Sequence, residues 1–200
     1  MRWVIGSRRW CADECCSSVK PDGASGSYAM TRVVQPLGSK GSLKLIQRAV
    51  NDRWETLEQP ILAKLGKASR IDWRSPLKDD GFAEYRDGEF LDRIGLDHLR
   101  PALKEFWPKR GPQWDALALS DRGDVLLVEA KAHVAEMCSP GTAAGPESRE
   151  RINQALATCA DRLGARASRA AWTDHFSSLP TGLLTCTFCE STMCRHTWFW

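Results

Sequence analysis

WDALALSDRGDVLLVEAKAH, from Trp114 to His133, is the stretch that decides the fold. Trp114 to Leu119 is a largely apolar run of strand composition, broken only by Asp115. Ser120, Asp121, Arg122 and Gly123 follow, and Asp and Gly tolerate the backbone angles of a reversal. Val125, Leu126, Leu127 and Val128 are continuously aliphatic, as expected for a strand covered on both faces. The segment therefore predicts a β-hairpin over about 113–131. Asp115 starts its first strand, and Glu129 and Lys131 end its second. Glu129 and Lys131 are two apart, so in an extended strand both leave the same face. The hairpin brings Asp115 back towards that face. Two carboxylates and an ammonium at the end of an apolar hairpin are costly to bury without a purpose.

The chemistry that suits this set is metal-assisted hydrolysis of a phosphodiester. Carboxylates are hard oxygen ligands and fit Mg²⁺ or Mn²⁺. A lysine beside such an ion can orient or deprotonate the attacking water and offset charge in the transition state. Asp115, thirteen intervening residues and then Glu129-Ala130-Lys131 resemble the signature of the PD-(D/E)XK nuclease superfamily. Asp115 matches its Asp, Glu129 its (D/E) and Lys131 its Lys. The Pro that often precedes the Asp is absent, because Trp114 stands there and Pro112 lies two residues further back. The resemblance implies a small mixed sheet flanked by helices, a restriction-endonuclease-like core. It also implies a metal held by Asp115 and Glu129, and a nucleic-acid partner. The plain alternative is a surface hairpin with a solvated Glu–Lys pair.

The chain of 200 residues suffices for one ordinary domain with tails. Hydrophobic residues make up 42% and charged residues 26%, which excludes a disordered polyelectrolyte. A net charge of +3 does not by itself announce a nucleic-acid binder. No apolar run is long enough to span a membrane. The N-terminal apolar stretch is too short for a secretion signal, so the expected compartment is the cytoplasm.

The ends differ from the middle. Of eight Cys, three lie at 11, 15 and 16, and three at 186, 189 and 194. Residues 1–41 are expected to be a disordered N-terminal extension, with Met30 following a small-residue linker as a candidate true start. A domain is expected over 42–176. Within it, Ser42 is a candidate N-cap, and Leu43, Leu45, Ile46, Val50, Trp54 and Leu57 recur at helical spacing. Pro60 interrupts or restarts that helix, and Gly66 ends it. Glu55 and Glu58 on it are candidate helix carboxylates for the site, or simply a solvated face. Ile71–Ser75 looks extended, and 82–86 is a short strand or loop. One or two helical turns end at Gly95, and Asp97 opens a helix to about 107. Lys104, Lys109 and Arg110 lie just before the hairpin, where they either meet phosphates or are merely solvated. His133 is a weaker site candidate. A helix at about 147–163 carries Cys159 on its apolar stripe, and another starts near 170.

From Ser177 the periodic pattern stops. Cys186, Cys189, Cys194 and His196 superficially suggest zinc, but at a spacing unlike common fingers. A shifted reading frame is the more economical explanation for 177–200. Codons compatible with this tail, read one frame over after Phe176, can spell YQLANRLAHLYFLREHDVPAHLVL, an amphipathic helix followed by a strand. A nuclease-type sheet needs both at that point, so the chain as it stands is expected to leave a sheet edge open. With that tail restored, SLKLIQRAVN, GPQWDALA and VLLVEAKAH resemble a family of bacterial PD-(D/E)XK-like proteins over about 42–176. Three functional classes follow: a metal-dependent nuclease or inactive relative, a non-catalytic interaction module on the same fold, and a zinc-binding protein using the tail.

Overall fold

A computed structural model of the chain describes residues 2–7, 32–52, 54–111, 113–133, 143–162 and 197–199. Its organising unit is the expected hairpin. Strands β6 (Ala116–Ser120) and β7 (Val125–Lys131) pair antiparallel, with Leu117 opposite Leu127 and Ala118 opposite Leu126. The turn is closed by its own polar side chains. Ser120 Oγ donates to Asp124 Oδ2 at 2.6 Å and accepts from the backbone N–H groups of Asp124 and Arg122. Gly123 takes φ +80° there, the left-handed angle that costs glycine least.

Strand β3 (Ile71–Ser75) pairs antiparallel with the other edge of β6. Arg2–Ser7 (β1) runs antiparallel along β7, from Arg2 opposite Lys131 to Gly6 opposite Leu127, and Thr197–Phe199 (β8) runs along β1. A second, smaller antiparallel sheet joins β2 (Arg32–Val33), β4 (Glu84–Arg86) and β5 (Gln113–Trp114). The class is α/β, as expected, but every ladder among the described residues is antiparallel, so the expected mixed sheet is not seen there. A parallel strand needs a crossover connection, and its expected source was the restored tail. Nor is the outer edge of β7 open, since β1 lies along it. The segment expected to be disordered, 1–41, instead contributes two short strands to the sheets, and residues 8–31 lie outside the described residues.

Helices cover both faces of the hairpin, which explains why Val125–Val128 are all buried. On one face, Leu126, Val128 and Ala130 meet Ala116, Ala118, Ile71 and Trp73. That core is completed by Ile46 and Val50 of α1 (Gly41–Asn51) and by Leu57 and Ile61 of α2 (Trp54–Leu65). On the other face, Val125, Leu127 and Leu117 meet Phe90 and Leu91 of α3 (Asp87–Arg93), Leu103 of α4 (Arg100–Phe106), and Tyr85 and Trp114. Trp114 and Phe90 meet edge to face, with centroids 6.3 Å apart. Each fully buried aliphatic side chain contributes roughly 1.5–3 kcal/mol of transfer free energy. The fifth helix, α5 (Pro146–Arg162), packs Ala155 and Leu156 against Phe106 and Trp107. Its Arg151 donates to the carbonyls of Lys104 and Glu105 at the end of α4, where a cation suits the helix dipole.

Local expectations shift in three places. The start of α1 is Gly41 rather than a capping Ser42, and Lys40 at its N-cap makes no side-chain cap. Gln47 sets that start by folding the entering chain back. It accepts from Gly38 N at 2.8 Å and donates to Pro36 O at 2.9 Å. The expected helix of 42–65 is two helices, with Pro60 inside the second and Gly66 at φ +68° ending it. Asp97 opens a short 3-10 turn, Asp97–Leu99, that leads into α4.

Candidate active site

The largest correction at the hairpin concerns Asp115. Trp114 and Ala116 do not continue one strand. Trp114 pairs with Tyr85 in the small sheet, Ala116 pairs with Val128 in the large one, and Asp115 sits at the bend between them. This bend joins the two sheets. Asp115 Oδ2 accepts from Ala130 N at 2.6 Å, which ties the carboxylate to β7 between Glu129 and Lys131.

Glu129 and Lys131 continue the row Val125, Leu127 on one face of β7. Their side chains are 15% and 16% exposed, and Lys131 Nζ donates to Glu129 Oε1. The three residues singled out from sequence are therefore in one place. Burial pushes the Glu129 carboxyl up to about 7, Asp115 adds to this, and the Lys131 ammonium opposes it. The cost of removing the carboxylate from water exceeds what one ammonium returns.

A third carboxylate, absent from the sequence-based set, belongs to the same locus. Glu84 on β4 is 4% exposed. Its Oε2 accepts from Gln113 Nε2 at 2.5 Å and from Gln35 Nε2 at 2.8 Å. Burial pushes Glu84 up to about 7. Those two amides oppose the rise, and the Asp115 charge reinforces it. Glu84 in turn raises Glu129. The ladder explains the proximity: Tyr85 faces Trp114 in antiparallel register, so the next position sets Glu84 towards Asp115.

The helix glutamates do not join. Glu58 is buried on α2 and accepts from Trp73 Nε1 at 3.0 Å. Burial raises its carboxyl, with Glu55 as the neighbouring charge. It holds Trp73 in the core beside α2. Trp73→Phe should leave Glu58 without its donor and cost about 1–3 kcal/mol, read as a lower denaturation midpoint in urea with an unchanged slope. A loss within error would show that water replaces the indole. Lys104, Lys109, Arg110 and His133 are exposed. Cys186, Cys189, Cys194 and His196 lie outside the described residues, as do the loop at 134–142 and the segment from 170 to 176.

Three carboxylates and one ammonium leave a formal charge of −2 when all are ionised, which one divalent cation balances. The donors are hard oxygens of the kind Mg²⁺ and Mn²⁺ take. The donor chemistry therefore fits the ion that the sequence suggests. Among the described residues, however, no three His, Cys, Asp or Glu side chains form a ready-made coordination shell. One of the two Glu129 oxygens, Oε1, is taken by Lys131. No helix among the described residues is long and apolar enough to cross a membrane. Comparison with protein-family models, with curated proteins and with solved structures finds no match for this chain.

Proposed function

We propose that this chain is a divalent-cation-dependent phosphodiesterase acting on nucleic acid, built on a core that resembles the PD-(D/E)XK nucleases. One observation carries the reading: Glu129, held near neutrality by burial, lies beside Lys131 in the same locus as Asp115 and Glu84. Asp115 and Glu129 would hold Mg²⁺ or Mn²⁺. When bound, the ion offsets the charge that builds on the phosphate. Lys131 would orient the attacking water and neutralise developing charge. Glu84, gripped by Gln35 and Gln113, is placed to take a proton from that water, since a carboxyl near 7 matches such a task at neutral pH.

A second reading, a non-catalytic interaction module on the same fold, is favoured by the Lys131–Glu129 pair already formed. Calorimetric titration with Mn²⁺ and Mg²⁺, beside cleavage of single- and double-stranded DNA and RNA, separates the two. Binding with turnover supports the nuclease. Binding without turnover on any probe supports the module, and no binding removes the metal reading altogether.

A further inference from the structure

Arg86 ends strand β4 in an extended conformation, φ −137° and ψ 175°. It is two residues from Glu84, so the two share a face of that strand. In the ladder Arg86 stands opposite Gln113, the residue whose amide grips Glu84. A guanidinium therefore belongs to the same row as the carboxylate cluster. Its Nε is shut off from water and has no hydrogen-bond partner among the described residues.

The contrast with other arginines is informative. Arg32 and Arg93 pair with Asp80, Arg74 with Asp72, and Arg100 with Asp92. Nε of Arg74 and of Arg93 is likewise buried without a partner, but each of those arginines has a terminal nitrogen on an acid, and Arg86 has no such acid among the described residues. The adjacent carboxylate, Asp87, is directed elsewhere. Its Oδ1 accepts from Gly111 N at 2.9 Å and anchors the loop that bears Lys109 and Arg110. Withdrawing a guanidinium donor from water without an acceptor is unfavourable. The partner that best matches its planar fork is a carboxylate or a phosphate. Arg86 shares a strand face with Glu84 and forms an ion pair with no described carboxylate, which leaves an incoming anion.

We propose that Arg86 is a phosphate-binding residue that holds a backbone phosphate of a polynucleotide beside the carboxylate cluster. This deepens the nuclease reading and rests on it for the identity of the polyanion. A cation fixed in β4 also offsets the repulsion that three carboxylates would exert on a polyanionic substrate.

The test is fluorescence anisotropy of the full chain with labelled single-stranded DNA, duplex DNA and RNA. Ca²⁺ replaces Mg²⁺, so that binding is read without turnover, and salt is varied. Arg86→Ala should weaken the best-bound probe about tenfold and flatten the dependence of log K on log salt by about one phosphate contact. Arg86→Lys keeps the charge without the fork, so it should keep the slope and recover only part of the affinity. It carries the comparison if the alanine variant does not fold. Equal affinity and slope in Arg86→Ala and the parent would overturn the proposal, and so would a parent that binds no probe. Mn²⁺ titration keeps the two readings apart. If metal binds and the slope is unmoved, Arg86 is structural and the nuclease reading survives. If the slope falls but no metal binds, the phosphate site stands without the nuclease.

Discussion

Asp115→Asn is expected to remove Mn²⁺ binding and to lower phosphodiester cleavage by about three orders of magnitude or more, equivalent to at least ~4 kcal/mol of transition-state stabilisation. Asn keeps the shape of Asp115 and can still accept from Ala130 N, whose 2.6 Å contact holds the bend between the two sheets. The substitution therefore tests charge rather than fold. Glu129→Gln should behave alike. If both carboxylates serve one ion, the double variant should be no worse than the worse single one, because a coordination shell lost once is not lost again. Lys131→Ala should differ from both. The ammonium now competes with the cation for Glu129, so its removal should leave Mn²⁺ affinity unchanged or raised while turnover falls by a factor of ~10² or more. Metal affinity and cleavage are read on the same preparations, with circular dichroism confirming the fold. Independent, additive losses at Asp115 and Glu129 would show that they do not share an ion. A loss of metal binding in Lys131→Ala would show that the lysine organises the site rather than the reaction.

How far the sequence carries towards this site depends on which contacts are local. The hairpin was legible because its signals lie within twenty residues: an aliphatic run, a Ser-Asp-Arg-Gly turn and a polar pair at spacing two. The helix from 147 and the strand at 71–75 were legible for the same reason. Asp115, Glu129 and Lys131 follow from the hairpin alone, and they are brought together. The break at Asp115 was not legible, because it is imposed by pairing of Trp114 with Tyr85, far away in the chain. Glu84 was hidden for the same reason. What makes it a buried acid is the pair of amides from Gln35 and Gln113, and no local pattern announces such a grip. The helix glutamate was sought on a helix face, yet Glu58 found Trp73 instead. The N-cap of α1 lies two residues earlier than expected, at Lys40 and not Ser42, because Gln47, a buried side chain within the helix, closes the loop before it. Tertiary hydrogen bonds override cap propensity there.

The last expectation concerns the resting protein. Glu84 and Glu129 both titrate near 7, above their ordinary 4.5. A carboxyl with a raised value in the folded state binds its proton more tightly there than in the unfolded chain. Its contribution is therefore full below about 4.5 and is lost as pH rises through about 7. Each group is worth on the order of 2–3 kcal/mol across that window, and the two together less than the sum, since they share the Asp115 field. In chelator, the thermal midpoint should fall by about 5–10 °C between about pH 5 and about pH 8.5. Mn²⁺ should restore most of that loss at the alkaline end and little at the acid end, where protons hold the same oxygens. Glu84→Gln should be more stable than the parent in alkaline chelator and should lose part of the slope. It keeps a polar group for Gln35 and Gln113 to bond and removes the charge. A midpoint that instead rises with pH in chelator would mean that the Lys131 ion pair outweighs burial at Glu129, and the cluster would then be a structural salt bridge with no standing demand for a cation.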